Sequence, residues 1–221
     1  MAPPLAVDID GTLTRPDASL DPRVIDPLRE HDAPIVVTTG KVLPNAVALC
    51  HFVGIPECCV AETGAIVLAD DELTVVGDGA AAEAFAADYV EEVGGLGWGD
   101  TDVVNRWREV EVAVNLDHDR GTVDRIAAEH GLEVLDTGYA YHVKSPDVDK
   151  GQGLERAASL LDIDTDDVVA IGDSENDVHT FRVAGESYAV ANADEAARDA
   201  ADRVTEGSYA DGFLEALDDL R

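Results

Sequence analysis

Four short strings in this chain carry residue types that can do chemistry, and each stands at the end of an apolar run or the start of a helix. Val7-Asp8-Ile9-Asp10-Gly11-Thr12 sets two carboxylates two positions apart behind the run Leu5–Ile9. Thr38-Thr39-Gly40 closes the run that begins at Pro34, and Lys150 opens a helical stretch. Gly172-Asp173-Ser174-Glu175-Asn176-Asp177 follows the run Val168–Ile171. Carboxylates can attack, move protons or ligate a hard cation, while a hydroxyl, a glycine turn and a lysine suit an anion. An isolated Asp-x-Asp would read simply as an acidic strand-to-turn junction; the longer string with its strand and Gly-Thr turn is far more specific. On a regular strand Asp8 and Asp10 point to opposite sides, so the turn after Asp10 is expected to bend it back toward a common site.

These strings need a scaffold that brings strand ends together. Apolar runs at Leu5–Ile9, Ile35–Val37, Val60-Ala61, Val168–Ile171, Ser187–Val190 and Arg203–Thr205 read as short strands. Helical stretches lie between them: Pro22 to about His31 with Asp21 as cap, Pro44 to Val53 closed by Gly54, Lys150 to Leu161, Asp194–Ala201, and a last helix from about Asp211. The alternation predicts an α/β fold, a Rossmann-like parallel sheet with right-handed crossovers. Ligands of such sheets bind at the carboxyl ends of the strands, where all four strings fall. Turn signals at Thr63-Gly64 and Asp70-Asp71 place a β-hairpin over Ala65–Ala69 and Leu73–Val76.

The texture changes near Gly77. A helix over Ala80–Val93, an alternating strand through Val110–Leu116, a helix from Asp119 to His130 and strands at Leu132–Asp136 and Tyr139–Lys144 describe an inserted α+β unit with an antiparallel sheet. The expected boundaries are 1–78 for the first part of the core, 79–148 for the insertion and 149–221 for the second part. Arg106 and Arg108, two apart, would share one face of a strand with Trp107 opposite. The alternative is an edge strand whose two arginines are solvated and paired with Glu109 or Glu111, and His142 is the candidate core residue of the insertion.

Charge is the unusual property. Forty-seven acidic residues stand against 15 basic ones, a net charge of −32, spread along the whole chain. Lysine occurs only at 41, 144 and 150; arginine supplies the other 12 cations. Such a field repels nucleic acid and anionic membranes, and self-repulsion destabilises the folded state until molar salt shortens the Debye length to ~3 Å. The composition fits a halophilic protein. An anionic substrate must then be recruited by particular cations, and the scarcity of lysine singles out Lys150. No apolar run approaches the ~20 residues of a membrane span, and no leader-like segment opens the sequence, so a cytoplasmic protein is expected. Cys50, Cys58 and Cys59 lack metal-ligand spacing and read as buried, reduced thiols.

Taken together, the four strings resemble the motifs of the haloacid dehalogenase-like phosphohydrolases, in order and with strands where that fold needs them. The resemblance covers the two core segments. It implies that Asp8 is the nucleophile, forming an aspartyl-phosphate, and a Mg²⁺ ligand. Asp10 would protonate the leaving oxygen and then activate water, its main-chain carbonyl binding the metal. Asp173 completes the metal site, with Asp177 bound directly or through water, while Thr39 and Lys150 contact the phosphoryl group. A carboxylate at position 10 implies rapid hydrolysis of the intermediate, hence a phosphatase rather than a protein that stores the phosphoryl group.

In that superfamily an insertion between the second and third motifs is a cap that selects substrate. The strings Asn105-Arg106-Trp107-Arg108-Glu109 and Gly138-Tyr139-x-Tyr141-His142 are similar to those of archaeal phosphoglycolate phosphatases, with Tyr141 where Trp is usual. This implies a small phosphorylated metabolite, 2-phosphoglycolate, whose carboxylate Arg106 would bind, and a monomer or homodimer. A sugar-phosphate phosphatase of the same superfamily is the alternative; a non-enzymatic phospho-acceptor or metabolite sensor is the reading from a different class.

Overall fold

The computed structural model describes residues 2–220. In chain order the elements are β1 (Leu5–Asp8), α1 (Ile25–Arg29), β2 (Ile35–Thr38), α2 (Leu43–Val53), β3 (Cys59–Ala61), β4 (Ile66–Ala69), β5 (Glu72–Val75), α3 (Gly79–Val93), β6 (Val112–Asn115), α4 (Arg120–Glu129), β7 (Glu133–Asp136), β8 (Ala140–Lys144), α5 (Lys150–Leu160), β9 (Val169–Gly172), α6 (Val178–Val183), β10 (Glu186–Ala189), α7 (Glu195–Ala200), β11 (Arg203–Val204) and α8 (Ala210–Asp219). They form two compact units, Met1–Thr74 with Asp149–Arg221, and Val75–Val148. No helix is long and apolar enough to cross a membrane among the described residues.

The first unit holds an eight-stranded sheet in the order β11-β10-β9-β1-β2-β3-β4-β5. The pairs from β11 to β3 are parallel, and β4 turns antiparallel to β3. Chain order runs outward from β1 on one side and outward from β9 on the other. The sheet therefore has its topological switch point between β1 and β9, the crevice where open α/β folds bind ligands. Strands β1, β2, β3 and β9 are buried along their whole length. Each face of the sheet has its own apolar layer, as a parallel sheet requires. Leu5, Val7 and Ile9 pack on one face with residues of α2 and α8. Ala6 packs on the other with Leu154 and Ala157 of α5.

Local signals set the helix ends. The Asp21 carboxylate accepts the Arg23 N–H, and Gly54 closes α2 in the left-handed region at φ +86°. The first helical stretch is shorter than its composition suggests, a 3₁₀ turn over Pro22–Val24 followed by α1. Asp70 and Asp71, both at positive φ, make the turn between β4 and β5.

The second unit packs α3 and α4 on a three-stranded antiparallel sheet in the order β6-β8-β7. Phe85, Tyr89, Val112, Val114, Ile126 and Val143 lie in its core. Here one expectation fails. Arg106, Trp107 and Arg108 lie in a turn, and the strand begins only at Val112. The cause is Asn105. Its amide donates to the Ala113 carbonyl (2.9 Å) and accepts from the Ala113 N–H (2.8 Å), standing in for a neighbouring strand. The chain must turn around that contact, so the alternation of Arg-Trp-Arg does not extend β6.

Candidate active site

The geometry of β1 delivers the first carboxylate. Side chains alternate along a strand, so Asp8 shares the face of Ala6, against which α5 packs. Lys150 is the first residue of that helix, behind an Asp149 cap that accepts the Gln152 N–H. Its ammonium is wholly buried and donates to Asp8 Oδ1 (2.6 Å) and Asp177 Oδ1 (2.7 Å). The second oxygen of Asp177 accepts the backbone N–H groups of Asp173 (3.0 Å) and Ser174 (3.2 Å). Glycine is required at two points of this cradle. A Cβ on Gly11, held at φ +78°, would lie 1.9 Å from Asp173 Oδ2, and one on Gly172 would lie 2.5 Å from Asp177 Oδ2.

The carboxylates of Asp8, Asp173 and Asp177 each place an oxygen within 4.8 Å of the others. Such crowding shows in their acidity. Burial, reinforced by Asp177 and Asp10 and opposed by Lys150, pushes the Asp8 carboxyl up to about 7. Burial together with Asp8 and Asp177 pushes Asp173 to about 9. Burial alone would lower the Lys150 ammonium, but Asp177 and Asp8 outweigh it and hold the group above the usual lysine range. The cluster thus sets three crowded carboxylates around one internal ammonium. All its donors are hard oxygens, the donor set that suits Mg²⁺.

Thr39 lies just past β2, next to β1, with its side chain buried. Its Oγ1 accepts the Lys41 N–H (3.1 Å), which leaves the hydroxyl hydrogen available to another acceptor. Asp10 behaves differently from Asp8. It lies beyond the strand, its carboxylate is outside the three-carboxylate cluster, and its Oδ2 pairs with Lys41 Nζ at 2.7 Å. Lys41 was not singled out by its spacing, although the scarcity of lysine that marks Lys150 marks it equally.

In the second unit the arginines part company. Arg108 is buried and ion-paired with buried Glu111, which also meets His142 Nδ1 at 2.8 Å. Arg108 and His142 thus share one buried carboxylate, that of Glu111, within this unit. Arg106 is exposed, its guanidinium 5.9 Å from the Trp107 ring centre. The three cysteines are free and buried, with Cys50 Sγ 3.7 Å from Cys59 Sγ.

The family model for haloacid dehalogenase-like hydrolases matches residues 128–217. A protein of Halorubrum lacusprofundi named phosphoglycolate phosphatase is 56% identical across 100% of this chain and 98% of its own length. The chain belongs to the haloacid dehalogenase-like hydrolases. It is an enzyme, a phosphatase. A Halobacterium salinarum protein, also named phosphoglycolate phosphatase, is 51% identical over 99% of this chain and 97% of that one. Among solved structures, Thermoplasma acidophilum 0175 superposes with a TM-score of 0.87 at 24% identity, covering 100% of this chain and 98% of that chain, a likeness of fold.

Proposed function

We propose that this phosphatase hydrolyses 2-phosphoglycolate to glycolate and phosphate, with Mg²⁺ as cofactor and an aspartyl-phosphate on Asp8 as intermediate. The observation that carries the chemistry is the convergence of Asp8, Lys150, Asp173 and Asp177 in one cluster at the switch point of the sheet. The substrate rests on the names of relatives 51–56% identical over nearly the whole chain.

In this reading Asp8, Asp173 and Asp177, with the main-chain carbonyl of Asp10, hold the metal. When bound, Mg²⁺ supplies the positive charge that keeps Asp8 and Asp173 ionised and shields the phosphate dianion from them. Lys150 fixes Asp8 through Oδ1, so Oδ2 is the oxygen that attacks phosphorus. The Thr39 hydroxyl donates to a phosphoryl oxygen. Asp10 gives its proton to the departing alkoxide, then takes one from the water that hydrolyses the intermediate. Arg106, exposed on the inserted unit, is the candidate contact for the substrate carboxylate, and that unit is the proposed substrate-selecting cap over 79–148. A single molecule or a pair, in the cytoplasm, suffices for this chemistry.

Phosphate release tests the reading. In molar KCl with Mg²⁺, wild type releases phosphate from 2-phosphoglycolate and Asp8→Asn does not, while chelation of the metal abolishes turnover. Preference for a hexose phosphate overturns the substrate assignment; an active Asp8→Asn overturns the mechanism.

A further inference from the structure

Asp10 and Lys41 make an ion pair whose position is better explained by catalysis than by stability. Three lysines occur in the whole chain, and each is committed. Lys150 is wholly buried between Asp8 and Asp177. Lys144 is buried in the other unit, donating to Glu133 and to the carbonyl oxygens of Ser145 and Val148. Lys41 is 38% exposed and meets Asp10, itself 46% exposed, at 2.7 Å. A pair so wetted contributes little to folding. Stability therefore gives little reason for a lysine at this position in a chain that otherwise uses arginine.

The base of the side chain is fixed. The Lys41 N–H donates to Thr39 Oγ1 (3.1 Å), and its carbonyl accepts the Glu62 N–H (2.9 Å). One residue further, the Thr63 N–H donates to the Thr39 carbonyl (3.2 Å). The segment between β2 and α2 is thus tied to the turn after β3, and Lys41 reaches toward Asp10 from a pinned backbone. Asp10 needs such a partner. It sits on the turn beyond β1, near a cluster of three carboxylates that repels it, and its side chain lies outside the apolar layers that hold the strand.

We propose that Lys41 is the positioning residue for Asp10. It holds the Asp10 carboxyl group where the leaving oxygen of the substrate departs, and so sets the efficiency of proton transfer to that oxygen. This rests on the reading of Asp10 as the acid and base. In the first step Asp8 Oδ2 forms a bond to phosphorus while the bond from phosphorus to the leaving oxygen breaks, its electron pair staying on that oxygen. The Asp10 proton passes to the oxygen, and Asp10 is left as a carboxylate facing the Lys41 ammonium. In the second step that carboxylate takes a proton from water, whose oxygen bonds to phosphorus as the bond to Asp8 breaks. Lys41 neither gains nor loses a proton.

Aryl phosphates from phenyl to p-nitrophenyl phosphate test this, because they share a shape, carry no carboxylate, and differ in how much the leaving oxygen needs a proton. The readout is kcat/KM, which reports the step in which that oxygen leaves. Lys41→Met is expected to lose ~10-fold more on phenyl than on p-nitrophenyl phosphate, a fraction of the 10²–10⁴-fold available to acid–base catalysis. Lys41→Arg restores the wild-type dependence to within ~3-fold, since it keeps the charge. Unchanged melting in molar KCl shows that Lys41→Met is folded. Equal losses across the series, no loss, or a loss confined to 2-phosphoglycolate each overturn the proposal. Asp10→Asn separates it from the reading beneath. If Asp10→Asn steepens the dependence and Lys41→Met does not, Lys41 alone is misassigned; if Asp10→Asn leaves it flat, Asp10 is not the acid and both fall.

Discussion

Replacing Lys150 by Met is the sharpest probe of the site's electrostatics. The substitution keeps an unbranched side chain of similar length and removes the ammonium. It leaves Asp8 and Asp177, both buried, without the donor at 2.6 and 2.7 Å that faces them. Removing one partner of a buried ion pair costs about 3–5 kcal/mol. For a chain of this length that is a fall in Tm on the order of 10 °C. The cost depends on pH. Asp8 already has its carboxyl raised to about 7, and Lys150 is the group that lowers it. In Lys150→Met the folded-state pKa of Asp8 rises further above its unfolded value. The folded variant then binds more protons than the unfolded chain, so its stability falls as pH rises through the neutral range. At pH 5, where Asp8 carries a proton, its share of the penalty is absent; that share grows as pH rises through about 7. The assay is urea or thermal unfolding in 3 M KCl with a chelator, at pH 5 and pH 8, on both proteins. A penalty below about 1 kcal/mol at pH 8, or one that shrinks as pH rises, would refute the electrostatic reasoning.

Gly11→Ala places a methyl group where Asp173 Oδ2 lies and forces φ +78° on a residue with a Cβ; a stability loss of roughly 1–2 kcal/mol should accompany at least a tenfold loss of phosphatase activity, measured by melting and turnover on one preparation. Arg108→Ala strips a cation from buried Glu111 and should cost about 3 kcal/mol in urea unfolding, whereas exposed Arg106→Ala should stay within ~0.5 kcal/mol and raise KM for 2-phosphoglycolate more than for p-nitrophenyl phosphate. With a net charge of −32, melting temperature should climb from 0.1 M to 3 M KCl as the Debye length falls from ~10 Å to a few ångströms; equal stability at both would refute the halophilic reading.

Much of the core was legible because a sheet buried on both faces leaves continuous apolar runs, and β1, β2 and β9 stand within a residue or two of where those runs place them. Caps were equally readable, since Asp21, Asp119 and Gly54 act through neighbours two to four residues away. What the sequence hid was non-local. Asn105 turns the Arg106–Arg108 segment out of strand geometry through Ala113, eight residues on. Lys41 finds its partner 31 positions earlier, and no local pattern announces the pair. The site was readable as a set of strand ends, but the different settings of Asp8 and Asp10 were not. One is buried under a helix start and the other stands in a half-exposed ion pair, a contrast that depends on which elements pack above them.

The register of β1 against β9 has a consequence for how the chain folds. Leu5 pairs with Val169 and Val7 with Ile171, so the strand that bears the first carboxylate finds this neighbour only after more than 160 residues have been made. The inserted unit, continuous in sequence and built from near neighbours, has no such delay. On a ribosome the insertion can close while β1 still lacks β9, leaving one edge of an apolar strand open. Long-range parallel pairing is slow and leaves such edges exposed to aggregation. The dense negative charge that suits the finished protein to salt would then serve earlier as well, keeping unfinished chains apart until the last third arrives.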